Sequence, residues 1–173
     1  MTYHDKLLEA YEGEIVGYTF FSALAQATEA ADEKRKLYFL AGLETRTAAI
    51  LEPLIERYNL TPRAKNVLTQ EGVRDAAKYA GLDWVQLNAR FVADFPIYVD
   101  EFLATEALAP LQDLRIMKLV TSHEIALINF AAEEVAGTDH GMGHLQSYFA
   151  QLEKYHVDLA APPIVFDGHK VSS

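Results

Sequence analysis

Apolar residues recur at mixed three- and four-residue steps through most of the chain, a period that marks out helices. Over residues 4–28 the pattern falls on Leu7, Leu8, Tyr11, Ile15, Tyr18, Phe21 and Leu24. This predicts a first long helix, apolar over much of its circumference beyond Ile15 as in a helix buried on more than one side, with Gly13 and Gly17 allowing a neighbour close approach. Residues 33–58 carry Leu37, Leu40, Leu43, Leu51 and Leu54 in the same way. Asp32 is the expected N-cap of this second helix, and Pro53 is expected to bend its last turns. From Thr61-Pro62, read as an N-cap and the first helical residue, the chain turns more polar and is punctuated by Gly72, Gly81 and Pro96. One or two short helices are expected in 62–80, another over 84–95 and another over 97–109. A third long helix starts at Pro110 and reaches about residue 136 through Leu114, Met117, Val120, Ile125, Ile128 and Phe130. The glycine-rich turn 137–143 ends it, and a fourth long helix follows to 160. No strand period persists, so the fold class is all-α.

The long segments pair. Glu14-Ile15 is followed by Phe20-Phe21, and Glu124-Ile125 by Phe130. Tyr38-Phe39 precedes Leu43-Glu44, as Tyr148-Phe149 precedes Leu152-Glu153. The chain therefore reads as two helical hairpins, residues 4–58 and 110–160, related by a faint internal repeat and joined by a helical crossover over 59–109. Together they form one domain spanning 1–161, with 162–173 an extended tail. Residues at one level of an antiparallel pair are equidistant from the turn. The midpoint of Glu14 and Glu44 is position 29, and that of Glu124 and Glu153 lies between 138 and 139, both in or beside expected turns. All four carboxylates can thus lie at a common depth, about 22 Å from their loops at the helical rise of about 1.5 Å per residue.

Composition narrows the chemistry. At 173 residues the chain suits one domain, which buries on the order of 70% of the surface its unfolded chain exposes. A net charge of −10 repels phosphate backbones and anionic membrane surfaces, so neither nucleic acid nor membrane is expected as a partner. The basic run Lys34-Arg35-Lys36 reads as the solvated start of a helix. Absence of cysteine excludes disulfides, thiolate metal sites and thiol nucleophiles. Any metal must be held by oxygen and imidazole. With no secretory-type start and no apolar run of spanning length, the expectation is a cytoplasmic protein. Neither a nucleotide loop nor a nucleophile elbow is present.

What remains is a set of carboxylates. In Glu153-Lys154-Tyr155-His156 the carboxylate and imidazole stand about one helical turn apart on one face, so both can hold one ion. Glu14, Glu44 and Glu124 occur at matching depths on the other three long segments. Carboxylates converging in a dry core repel one another and lose hydration, at a cost of several kcal/mol per ion unless a cation compensates. The candidate metal ligands are therefore Glu14, Glu44, Glu124, Glu153 and His156. His123 precedes Glu124 and so points about 100° away from it on the helix, which argues against a ligand role.

This pattern resembles that of the ferritin-like di-iron carboxylate superfamily, the group of rubrerythrins, bacterioferritins and di-iron oxygenases. Its motif places a Glu, a Glu-x-x-His, a Glu and a second Glu-x-x-His on four bundle helices. The resemblance covers the two hairpins and implies a ferritin-like four-helix bundle with a long crossover between its second and third helices. It also implies an iron centre, with manganese as the alternative, in which Glu44 and Glu153 bridge two metals, Glu14 is a terminal ligand of one, and Glu124 and His156 complete the other. Thr47 stands where the family has its first histidine, which weakens the metal position beside Glu14. Tyr18 could reach that gap, although a packed core tyrosine is the plainer reading. Lack of cysteine removes a rubredoxin-type module, and the long crossover suits a substrate pocket or a dimer interface. The expected function is an oxidase or hydroxylase acting on an unidentified small molecule, as a homodimer. The alternative is a non-enzymatic ferritin-like binding or regulatory protein that holds one metal or none.

Overall fold

In the computed structural model, which describes residues 1–160 and side chains as far as 155, the described chain is all-helical. Seven helices follow in order: α1 (Tyr3–Ala27), α2 (Ala31–Arg57), α3 (Lys65–Ala77), α4 (Trp84–Asp94), α5 (Pro96–Leu108), α6 (Leu114–Ala136) and α7 (Gly141–Ala160). The expected extended tail, 162–173, lies outside the described residues. None of the helices among the described residues is long and apolar enough to cross a membrane.

The four long helices pair as α1 with α2 and α6 with α7, and α2 also packs against both helices of the second pair. Of the crossover helices, α3 lies along α1, whereas α4 and α5 lie along α6. Contact between α1 and α3 is close. A Cβ on Gly72 would meet the Val16 carbonyl oxygen at 2.5 Å and the Thr19 Cβ at 2.8 Å, so only glycine fits there. Phe20 and Phe21 of α1, Tyr79, and Phe91 and Phe95 of the α4 region interlock, Phe91 and Phe95 stacking at 4.9 Å. Lys36, Trp84 and Glu134 fasten α2, α4 and α6: both the Lys36 ammonium and the Trp84 indole N–H donate to the Glu134 carboxylate at 2.8 Å.

Helix starts differ from expectation for identifiable reasons. α2 begins at Ala31 with no side-chain cap; Asp32 sits in its first turn instead, paired with Arg35 and Lys36, where its charge favours the helix N-terminus. α3 begins at Lys65, after Thr61-Pro62, because the Arg63 backbone N–H donates to Glu12 at 2.7 Å and keeps this stretch against α1. α6 begins at Leu114, after a turn at Pro110. Its N-cap, Asp113, uses its buried carboxylate to accept from Tyr3 (3.1 Å), Tyr58 (2.6 Å) and Arg57 (2.7 Å), tying the starts of α1 and α6 to the end of α2. At the other end of α6, Gly137 adopts φ 69° and closes the helix in the left-handed conformation that glycine tolerates. α2 continues through Pro53 to Arg57.

Candidate metal centre

Glu14 of α1, Glu44 of α2 and His123 of α6 converge in the core, with exposures of 2%, 4% and 0%. The imidazole stands between the two carboxylates. Its Nδ1 is 3.4 Å from Glu14 Oε2 and its Nε2 is 3.3 Å from Glu44 Oε1. Neither approach has hydrogen-bond alignment, and both ring nitrogens and Glu14 Oε2 lack a hydrogen-bond partner. One donor atom from each of the three residues lies within 4.8 Å of the others, a buried group that could hold a metal ion.

Local packing explains the convergence. Ile116, Val120, His123, Leu127 and Phe130 are all buried at alternating four- and three-residue steps on α6, so His123 occupies an interior position of that helix's apolar stripe. The Glu44 carboxylate is admitted by Gly17, where an added Cβ would stand 2.2 Å from Glu44 Oε2. Beneath His123 the Tyr148 ring stacks at 5.2 Å and 23°. The Thr47 hydroxyl donates to the Leu43 carbonyl at 3.0 Å, so its single proton is used. The Tyr148 hydroxyl therefore donates to Thr47 Oγ1, 2.8 Å away.

Burial sets the electrostatics. Burial drives the Glu14 carboxyl well above the usual range, opposed by the charge of His123 and reinforced by Glu44. Burial alone would lower the His123 pKa, but Glu44 and Glu14 together hold it well above that of a free imidazole. Without a metal, Glu14 and His123 therefore both hold a proton more tightly than the free groups do. Glu124 is also buried and is pushed up to about 7, by burial first; its Oε2 has no hydrogen-bond partner.

Of the five ligands expected from sequence, Glu14 and Glu44 meet in the trio, and Glu124 is buried beside it. Glu153 does not join them. Its side chain is 51% exposed and pairs with Arg46 at 3.0 Å, because the buried stripe of α7, Leu145, Tyr148, Leu152 and Tyr155, faces about 100° away. The His156 side chain lies outside the described residues. His123, whose position about 100° from Glu124 argues against a ligand role, is the imidazole that reaches the carboxylates. Tyr18 is neither a core tyrosine nor a gap-filler, being 48% exposed; Thr47 and Tyr148 occupy the interior instead.

A cavity of about 570 Å³ adjoins the trio, with Glu14, Glu44 and Glu124 in its wall together with Phe20, Phe95 and Phe102. Of the crossover's aromatic residues, Phe91 is entirely packed, whereas Tyr98, which also lines the cavity, is 45% exposed. Comparison of the chain with protein-family models, with curated proteins and with solved structures gives no match.

Proposed function

We propose that this chain is a ferritin-like metal-binding protein, an oxidase or hydroxylase of a small molecule, in which Glu14, Glu44 and His123 hold one iron or manganese ion beside the cavity. The observation that carries this reading is the set of buried donor atoms with no partner, Glu14 Oε2 and both nitrogens of His123, next to a space large enough for a small molecule. Two carboxylates and an imidazole suit iron and manganese. An ion held there would supply redox chemistry towards dioxygen. The chain's own part is to fix the donors from three helices, to hold the imidazole ring flat on Tyr148, and to place aromatic side chains along the approach. The donor set suits one ion. A second one bridged by Glu153 would require that residue to leave Arg46 and turn inward.

His123 between two carboxylates also favours a second reading, a ferritin-like binding protein whose core is closed by a proton in place of a metal. Elemental analysis of protein purified from iron- and manganese-supplemented cells separates the two. About one ion per chain, retained through dialysis and lost in His123→Ala, supports the redox centre. A metal-free protein that takes up neither ion on titration supports the second reading.

A further inference from the structure

The cavity beside the trio carries a charge that the metal reading does not use. Two carboxylates, Glu14 and Glu44, balance a divalent ion. Glu124 does not belong to the trio whose donor atoms lie within reach of one another. It is 9% exposed, lines the cavity, and presents an Oε2 with no partner. A buried carboxylate in this position costs several kcal/mol unless a cation meets it.

Among the described residues that line the cavity no basic side chain pairs with Glu124; the charge of His123 reaches it, but that ring stands between Glu14 and Glu44. Acidic residues outnumber basic ones around it. Of its cations, Arg63 is engaged by Glu12 and Glu71, Lys78 by Asp75, and the α-ammonium belongs to Met1, which is 77% exposed. Lys6 lies three residues into α1, two helical turns from Glu14 and on the side away from the α1–α2 turn. Glu101, at an exposed position of α5, adds a further negative charge that is felt at Glu124. Phe20, Phe95, Tyr98 and Phe102 also line the cavity. Aromatic faces attract cations as well as apolar bodies.

We infer that the cavity takes an organic ammonium ligand, an amine with an aromatic or alkyl body, whose cationic head is received by Glu124 while its body lies against Phe20, Phe95 and Phe102. An anionic ligand of the same shape is rejected by the unbalanced carboxylate, and a neutral one lacks its partner. As an assignment of substrate class this rests on the reading of the trio as a metal centre; the binding itself does not require the metal.

The test is calorimetric titration of chelator-treated protein with three probes that share one skeleton: 2-phenylethylammonium, 2-phenylethanol and phenylacetate. The ammonium should bind about ten-fold or more tighter than the alcohol, the difference a charge-assisted hydrogen bond supplies, and phenylacetate should not bind. Glu124→Gln, which keeps the side-chain volume, should bring the ammonium down to the affinity of the alcohol and leave the alcohol unchanged. Glu101→Gln, at an exposed position that folding does not depend on, should weaken the ammonium about two- to three-fold through lost long-range attraction. Equal binding of all three probes, preference for phenylacetate, or no binding of any probe overturns the inference. A last arm separates it from the metal reading. Manganese added to the ammonium complex should bind without displacing the probe; displacement would make Glu124 a metal ligand and end its role as the ammonium partner, whereas failure of manganese to bind at all, with probe binding intact, would sink only the metal centre.

Discussion

The two hairpins carry the same dipeptide at matching depths, Leu43-Glu44 on α2 and Leu152-Glu153 on α7, and fold it differently. Both leucines are buried, at 1% and 0%. Glu44 is buried with its leucine, whereas Glu153 stands half exposed against Arg46. The difference lies in how many neighbours each helix has. α2 packs on α1, α6 and α7, and its buried surface is wide enough to include Leu40, Ala41, Leu43, Glu44 and Thr47. Among the described residues, α7 packs mainly on α6 and α2, and its buried apolar positions form the single stripe Leu145, Tyr148, Leu152 and Tyr155. A sequence repeat therefore conserves spacing along a helix without conserving which face is interior; the number of packing partners decides that. Gly17 adds the second condition, since it leaves the volume that the Glu44 carboxylate fills.

The largest expected effect breaks this comparison directly. Glu44→Gln should weaken manganese binding by about 1,000-fold or more, about 4 kcal/mol, while Glu153→Gln should leave it unchanged within about two-fold. Metal titration followed by electron paramagnetic resonance reads both. Equal losses in the two variants would mean that both carboxylates face the site and that the hairpins are equivalent after all.

Next comes the acidity of the second hairpin's buried carboxylate. The Glu124 pKa is raised by burial from 4.5 to about 7. The folded state therefore keeps a proton that the unfolded chain gives up. That contribution is complete below about pH 4.5, is lost as pH rises to about 7, and changes no further above it. At about 1.4 kcal/mol per unit, the metal-free protein should lose about 3 kcal/mol over this window. Urea unfolding in chelator at several pH values measures the fall, and Glu124→Gln should lessen it by this amount, leaving the part that Glu14, raised in the same sense, contributes. A stability that rises across the same window in the metal-free wild type would contradict the burial of this group.

How much of this was legible in the sequence follows from the same contrast. Helix period and turn residues showed seven or eight helical stretches, with one or two left open in 62–80, and the hairpin pairing, because those depend on local spacing. The depth of the carboxylates was equally legible, and Glu14, Glu44 and Glu124 are buried at that level. Orientation was not. His123 was read against Glu124 alone, as a residue about 100° away, when the informative reference was the stripe Ile116, Val120, Leu127 and Phe130 that runs through it. α6 packs on α2, α4, α5 and α7, so two adjacent positions can both be interior. That signal was present in the sequence. The cavity was not, since it depends on how α5 from the crossover meets α1.

A smaller effect sharpens the role of Gly17. In Gly17→Ala the new Cβ would meet the Glu44 carboxylate at 2.2 Å and its Cδ at 2.7 Å, so Glu44 must swing away. Manganese affinity should fall about ten-fold and stability by about 1–2 kcal/mol. Gly13, one turn earlier on α1, has nothing within 4 Å of an added Cβ. Gly13→Ala should therefore stabilise the helix by about 0.5–1 kcal/mol and leave metal binding alone. Denaturation and titration of the two variants side by side distinguish local room for Glu44 from a general intolerance of side chains on this face of α1.

The smallest effect belongs to the exposed half of the comparison. The Arg46–Glu153 pair is 3.0 Å long, with side chains 48% and 51% exposed, and pairs of this kind contribute about 0.2–1 kcal/mol, less as salt screens them. Glu153→Ala should therefore cost no more than about 1 kcal/mol in low salt, and the cost should shrink towards zero in about 0.5 M sodium chloride. Arg46→Ala should cost somewhat more and keep most of its effect in high salt, because the guanidinium also lies 4.5 Å from the centre of the Phe149 ring and that contact, with the packing of its stem, does not depend on Glu153. Urea unfolding of the two single variants and the double variant at both salt concentrations separates these contributions. If Glu153→Ala instead cost more than about 2 kcal/mol regardless of salt, the carboxylate would be an interior group, and the difference between the hairpins would have to be sought elsewhere than in the width of their buried faces.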